Sequence, residues 1–419
     1  MQFRRYSLFE SLKREEFYFY PLVIEIKRII LSQSKKALCD GVCTVNQYEM
    51  FVSNELTMPE EIGKQLMAKL GITFYNDKEF VTEGFNLIGS LIEENMFNEF
   101  DQAFWRFDDI ESNEEKYLRS PLIIEFILVR MAYYSVNSRE RFLESKAVLR
   151  AVKKLMTREQ KFLFYLFDGV DAYKVRHDPQ KARKLLDKAR QETGHPHVYL
   201  WIGVLELDEG NVLTAVKMFE KAQRRYVNDG NITGLVFVKE LIGLSYYRQN
   251  DYESGIDVFR GALGYARSLN RSYLVNNFRN QIAWGYFRMR DYEQSLKAMV
   301  KDRYNDDLTV NSSVTKFLIA YHTVDASLLD ELREEFSNRN KTLHRMIESI
   351  LSKDPLFDEN SNPMIDEDEL KALSELAEIT HFELKKEFFQ ILLSYYVKTD
   401  NKEGIIEMLK HRDLKVGKL

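Results

Sequence analysis

One short pattern recurs at a fixed offset and limits the folds open to this chain. "QNDYESGIDVFRGA" (249–262) returns as "MRDYEQSLKAMVKD" (289–302). Aligning the turn residues Asp178, Asn211, Asp251 and Asp291, which stand 33, 40 and 40 positions apart, brings further offsets into register. Small residues follow four positions later (Ala182, Ala215, Gly255, Ser295), and large apolar ones eight later (Leu186, Phe219, Phe259, Met299). Alanines follow at eleven (Ala189, Ala222, Ala262) until Asp302 breaks the pattern. Five positions before the turn stand Tyr173, Glu206, Tyr246 and Tyr286; eight before stand Val170, Gly203, Gly243 and Ala283. Nine before stand Gly169, Ile202, Ile242 and Ile282. Offsets of 4, 8 and 11 keep one face of a 3.6-residue helix. The pattern predicts a pair of antiparallel helices per unit, crossing closely at the small residues, with a large residue of the second helix beside the tyrosine of the first. One such pair cannot bury both faces, so neighbouring pairs must stack.

The flanks carry worn copies. "LLSYYVKTDNKEGIIEML" (392–409) keeps the spacing with Tyr395, Asp400, Gly404 and Met408, and 123–152 reads as another helix pair. The acidic stretch 352–366, with two prolines, reads as a loop that interrupts the array. Composition agrees with a helical chain. Of 419 residues only 18 are Gly and 7 Pro, while 45% are hydrophobic; few helix breakers and ample apolar surface suit long helices and short connections. The net charge of −5 leaves no bulk attraction for nucleic acid, so any basic patch must be local. Two cysteines exclude a disulfide scaffold and fit a reducing, cytoplasmic setting. No 18-residue apolar run occurs, so neither a membrane span nor a signal peptide is expected.

Residues 21–75 read differently. Short helices are expected at about 22–31, 34–40, 45–53 and 59–70, with Pro59, Glu60 and Glu61 opening the last. "ALCDGVCTVNQYEMFVSNELTMPEEIGKQLMAKLGI" (37–72) resembles the helix-turn-helix of phage-repressor (XRE) type, through Leu38, Gly41, Val42, Cys43, Thr44, Tyr48, Pro59, Leu66, Ala68, Leu70 and Ile72. The resemblance makes 45–53 a recognition helix, with Asn46 and Gln47 at its groove-facing end, where amides can read adenine edges. The segment Thr44 to Thr57 holds no Lys or Arg, only Glu49 and Glu55. Positive charge for phosphates must therefore come from Lys27, Arg28, Lys35 and Lys36, or from Arg4 and Arg5. The alternative is a vestigial cap that serves protein contacts.

The repeat spacing itself resembles the tetratricopeptide (TPR) repeat. A degenerate helix-turn-helix followed by such repeats resembles the RRNPP family of Gram-positive peptide-receptor regulators. The expected fold is therefore all-α: an N-terminal extension (1–20), a small helix-turn-helix bundle (21–75) and a right-handed TPR-like α-solenoid (76–419), clearest over 162–302. The resemblance implies a cytoplasmic homodimer that binds a short signalling peptide in its concave groove and so alters DNA binding. Its alternative is a Rap-like interaction protein that sequesters a protein partner and leaves DNA alone. In a TPR solenoid the first helix of each unit lines the groove, at positions 14, 11, 7, 4 and 3 before the turn residue. These are Asn277, Asn280, Trp284, Phe287 and Arg288 in one unit and Phe237, Glu240, Leu244, Tyr247 and Arg248 in the unit before. Further back come Leu200, Val204, Leu207 and Asp208, then Phe164, Phe167, Asp171, Lys174 and Val175. Asparagine carries both a donor and an acceptor and so can hold a peptide backbone; arginine can take a carboxylate bidentately. Asn277, Asn280, Glu240, Arg248, Arg288, Trp284 and Tyr247 are accordingly the expected peptide site.

No phosphate loop, dinucleotide fingerprint, zinc-protease or nucleophile-elbow motif is present. His195 and His197 in "HPHVYLW" stand two apart without a carboxylate or thiol at ligand spacing, and read as a solvated helix start after Pro196. Cys39 and Cys43 lack a second pair for zinc. Neither enzyme activity, cofactor nor metal is expected.

Overall fold

Side-chain oxygens set where many of the helices begin. Asp178, Asp251 and Asp291, the aligned turn residues, each accept a backbone N–H three positions on, from Lys181, Ser254 and Gln294. They are N-caps, which explains why the pattern demands Asp or Asn there. The residue before each aligned turn position is left-handed: His177, Gly210, Asn250 and Arg290 have φ of 50°, 82°, 60° and 63°. That kink lets the second helix fold back on the first.

The computed structural model describes residues 18–97, 100–299, 306–323, 325–337 and 382–406, with single positions at 344, 347, 348, 351, 367, 368, 371 and 408. The expectations for residues 1–17, for Asp302 and for the 352–366 loop lie outside them. No strand occurs among the described residues. In order the helices are α1 (Tyr20–Ile30), α2 (Lys35–Cys39), α3 (Val45–Val52), α4 (Glu60–Lys69), α5 (Lys78–Met96), α6 (Phe100–Ser112), α7 (Glu114–Tyr117), α8 (Ile123–Asn137), α9 (Arg139–Ala151) and α10 (Arg158–Lys174). They continue as α11 (Pro179–Glu192), α12 (Pro196–Asp208), α13 (Val212–Asp229), α14 (Ile232–Arg248), α15 (Tyr252–Ser268), α16 (Ser272–Arg288), α17 (Tyr292–Ala298), α18 (Asp306–Thr323), α19 (Ala326–Phe336) and α20 (Phe382–Lys398). Two compact units emerge, one of residues 1–205 and 220–234, the other of 206–219 and 235–419.

In the first unit, α1–α4 enclose a core of Tyr20, Ile24, Leu38, Cys39, Tyr48, Phe51, Leu66 and Leu70. Thr44 opens α3 with a capping box closed by Gln47, and Gly41 (φ 70°) makes the turn out of α2. Hairpins follow: α5 with α6, α8 with α9 and α10 with α11. The first helices of these pairs pack in a row, α5 on α8 and α8 on α10, while α1 touches α8. Gly169 lies against Leu186, where a Cβ would come within 3.1 Å of the leucine side chain.

In the second unit the same device is tighter. A Cβ on Gly243 would stand 2.6 Å from the Phe259 ring, and one on Gly255 would stand 2.3 Å from the Tyr247 ring. The small-to-large pairing expected from the sequence is thus present. One offset differs: the tyrosine held between helices is four before the turn (Tyr247, fully buried), not five, and Tyr246 is only half-buried. The groove-facing role expected at that position is corrected accordingly, since Leu207, Tyr247 and Phe287 are all core residues. α17 stops at Ala298, so Met299 is its C-cap rather than a ridge residue. In the C-terminal copy the cap slips by one. Asp400 takes the left-handed position (φ 50°), and Asn401 accepts the Gly404 N–H at 3.0 Å.

Candidate functional site

Four of the expected groove residues of α16, namely Asn277, Asn280, Trp284 and Arg288, recur at helical spacing and share one face. Partners from neighbouring first helices hold that face. The Asn277 amide donates to Glu240 Oε1 on α14 at 2.7 Å. Burial pushes the Glu240 carboxyl up, and the Asn277 bond opposes this. Asn277, Asn280, Glu240, Arg248 and Arg288 are all half-buried. Arg248 donates to the Leu207 carbonyl and stands 3.7 Å from Asp208. Burial carries Asp208 up to about 6 although Arg248 pulls the other way. Arg288 lies over the rings of Tyr252 and Trp284 and pairs with Glu387 of α20 at 3.2 Å. Glu387 is only 2% exposed, and His322 stands 3.8 Å from its other oxygen.

One expected contact, Tyr247, does not face a groove. Tyr247 is fully buried, and its hydroxyl donates to the Gln281 carbonyl at 2.7 Å. Its ring fills the space left by Gly255 and Gly285, so it is packing, not a ligand contact. Trp284 is 5% exposed and packs at a tilt against Phe287, yet its indole N–H has no hydrogen-bond partner among the described residues. A buried donor left unpaired costs about 1–3 kcal/mol. A ligand acceptor on this face would relieve it.

The N-terminal bundle distributes its charge differently from expectation. Lys27 is buried and reaches both oxygens of Glu115 at 3.1 Å. Arg28 forms a two-bond fork with Glu25, 2.7 Å in each arm, and a third bond to the Gln33 carbonyl. Glu25 also accepts the buried Tyr48 hydroxyl at 2.6 Å. Arg28 is tied to the buried Glu25, and Lys27, itself buried, to the exposed Glu115, because α1 packs against neighbouring helices along the face that carries them. Lys35 is half-buried and spans to Glu49 of α3 at 2.9 Å. Gln47 spends its amide oxygen on the Thr44 N–H and hydroxyl. Asn46 and Lys36 remain exposed. Cys39 is buried and Cys43 half-buried, and burial with the neighbouring Cys43 pushes the Cys39 thiol up to about 12, which keeps it protonated and unreactive.

A cavity in the first unit was not anticipated. It opens between α5, α8, α10 and α12, with an empty volume of about 500 Å³ including its mouth. Phe167, Asp171, Lys174 and Val175 line it, as their positions before the turn suggested, but Asn95, His197 and Trp201 join them. His197 is 2% exposed and so is not a solvated helix start. Trp201 donates to His197 Nε2 at 3.1 Å, which leaves Nδ1 to carry the proton toward the Tyr226 hydroxyl, also at 3.1 Å. Burial, then His195 and Lys174, hold that imidazole near 3, so it stays neutral. No cluster of three metal-ligating side chains occurs among the described residues. No helix among them is long and apolar enough to cross a membrane.

The sequence signals for these residues were weak. Asn95 lies before the clear repeats, and Glu387 lies just before their worn copy at 392–409.

Stacked helical hairpins with interdigitated small and large residues define a TPR-like fold, and solved structures with this fold are similar to the chain. One is the apo form of RapI, at a TM-score of 0.57 and 12% identity over 81% of this chain and 99% of that one. Another is a Rap protein complexed with Competence and Sporulation Factor, at 0.50 and 12% over 79% and 96%. NprR in complex with its cognate peptide NprX matches at 0.43 and 15% over 78% and 97%. These neighbours are of the RRNPP type, and at such identities the likeness is one of fold. No protein-family model matches the sequence, and no curated protein does.

Proposed function

We propose that the protein is a peptide-responsive regulator of the TPR type, whose second unit holds a short signalling peptide along the first-helix face of α14 and α16. The observation that carries this reading is the α16 face itself. Asn277, Asn280 and Arg288 stand half-buried at helical spacing, beside a buried indole N–H that lacks an acceptor. An extended peptide offers carbonyls and N–H groups that amide side chains satisfy as donor and acceptor together. Its carboxylate end suits Arg288. The likeness to Rap structures, one of them solved in complex with Competence and Sporulation Factor, supports the same reading.

The N-terminal bundle acts on a protein partner rather than on DNA. Lys27 and Arg28 are spent on Glu115 and Glu25, Lys35 faces Glu49, and Gln47 is held by its own cap. That leaves Lys36 as the solvent-facing cation of the four expected at phosphates, and phosphate neutralisation supplies most nonspecific DNA affinity.

Two measurements test the pair of statements. A mixed pool of five- to ten-residue peptides is passed over the immobilised full-length chain and the retained species are read by mass spectrometry. Retention by the parent and its loss in Asn280→Ala is expected; equal retention by both removes the groove assignment. A gel shift with DNA from upstream of the protein's own gene, run over a salt series, is expected to show no complex. Binding that falls steeply with salt would restore the DNA reading.

A further inference from the structure

The cavity of the first unit shares no lining residue with the peptide face described above and has a definite chemical bias. Its wall is largely apolar, with Phe167, Val170 and Trp201 contributing. It contains one buried acceptor without a partner. Asn95 is 9% exposed; its Nδ2 donates to the Leu91 carbonyl at 2.7 Å, and its Oδ1 receives nothing. The other deep polar groups are already paired. His197 receives the Trp201 N–H, and Asp171 is held by Arg139 and by Arg176 at 2.7 Å. An occupant must therefore bring an apolar body and one donor.

The surrounding charge says which donor. Asp168 and Asp171 are met by Lys146, Arg139 and Arg176, and the Lys174 ammonium stands 5.0 Å over the Trp201 ring. Four cations against two carboxylates disfavour an ammonium or guanidinium guest, because like charges at close range are repelled in a poorly solvated site. The donor is neutral. Aromatic walls favour a ring in offset or edge-on contact. We infer that this cavity is a binding site for a phenol or indole ring, whose single O–H or N–H donates to Asn95 Oδ1. The ring could arrive as a free small molecule or as a tyrosine or tryptophan side chain of a polypeptide, and the two share this chemistry.

The test uses the full-length chain and calorimetry with p-cresol, toluene and the tripeptide Gly-Tyr-Gly. p-Cresol is expected to bind about two- to tenfold more tightly than toluene, the span that one hydrogen bond supplies. Asn95→Leu should erase that difference while leaving toluene unchanged. Val170→Phe, which fills the cavity from the α10 side, should abolish both. Binding of Gly-Tyr-Gly in addition to p-cresol identifies a polypeptide guest; binding of p-cresol alone identifies a free one. Equal affinities for p-cresol and toluene in the parent, or no binding of either, would overturn the assignment. Asn280→Ala is expected to leave all three titrations unchanged, so the outcome is independent of the peptide face on α16.

Discussion

Replacing Gly243 by alanine tests the stacking device directly, because two opposed effects act at one atom. Alanine in a helix interior is worth about 1 kcal/mol over glycine in propensity. Against this, the new Cβ would lie 2.6 Å from one carbon of the Phe259 ring and 2.8 Å from two others. Phe259 is fully buried and so cannot swing into solvent. Overpacking of this kind costs about 1–3 kcal/mol. The expected net result runs from neutral to about 2 kcal/mol destabilising. Gly264 of α15 is the matched control: it is exposed, and a Cβ there meets nothing within 4 Å. Gly264→Ala is expected to stabilise by about 0.5–1 kcal/mol. The difference between the two variants isolates the packing cost. A repeat array need not unfold in one step, so the assay is amide hydrogen exchange read along α14 and α15 in the full-length chain. Phe259→Leu added to Gly243→Ala should recover about 1–2 kcal/mol of coupling. If Gly243→Ala stabilises as much as Gly264→Ala, or if the double variant is additive, the glycine does not serve as the seat for that ring.

Three further outcomes are expected. Arg28→Ala should loosen α1–α4 by about 3 kcal/mol in urea titration, because Glu25 loses the partner that compensates its burial; a change under 0.5 kcal/mol would show that the fork is not structural. Asp208 holds its proton in the folded chain up to about 6, against 3.8 ordinarily. Between those values the unfolded chain has already released it, so the folded state is favoured less as pH rises through that window. Asp208→Asn is expected to flatten that part of the stability profile, and an unchanged slope would exclude the residue as its source. Glu387→Gln removes the internal carboxylate held by Arg288 and should tighten a peptide with a free C-terminus by about tenfold, the worth of one charge-assisted hydrogen bond. An amidated peptide should gain nothing, and an equal gain for both would sink the competition.

The helical repeat was readable in the sequence because its geometry is enforced by residue size. Gly243 opposite Phe259 and Gly255 opposite Tyr247 are local necessities with few substitutes. The same holds for the caps, where a side-chain oxygen is required at Asp178, Asp251 and Asp291. The choice between Tyr246 and Tyr247 was not readable, since both are tyrosine and only the position of Gly255 across the hairpin selects between them. Charge pairings were not readable for a different reason. Lys27 and Arg28 look like surface cations in a string of letters, but their roles follow from Glu115 and Glu25, and pairings of that kind leave no periodic trace. Arg288 shares a face with Asn277 and Asn280 by helical spacing alone, whereas its hold on Glu387 depends on a helix far along the chain. The cavity escaped because Asn95 belongs to a helix outside the matched repeats.

The left-handed residue ahead of the capping side chain offers a better ruler for this architecture than aromatic spacing does. His177, Asn250, Arg290 and Asp400 adopt it without being glycine, at roughly 1 kcal/mol each. Gly230 does the same before Asn231, whose carboxamide oxygen accepts the Gly234 N–H at 2.7 Å. Scanning for that dipeptide, rather than for tyrosine and phenylalanine, marks the corners at 230–231 and 400–401 that ring spacing misses or misplaces. It also tells a designer where hairpins of this type can be cut, lengthened or exchanged: at a joint whose backbone demands are met by two adjacent residues.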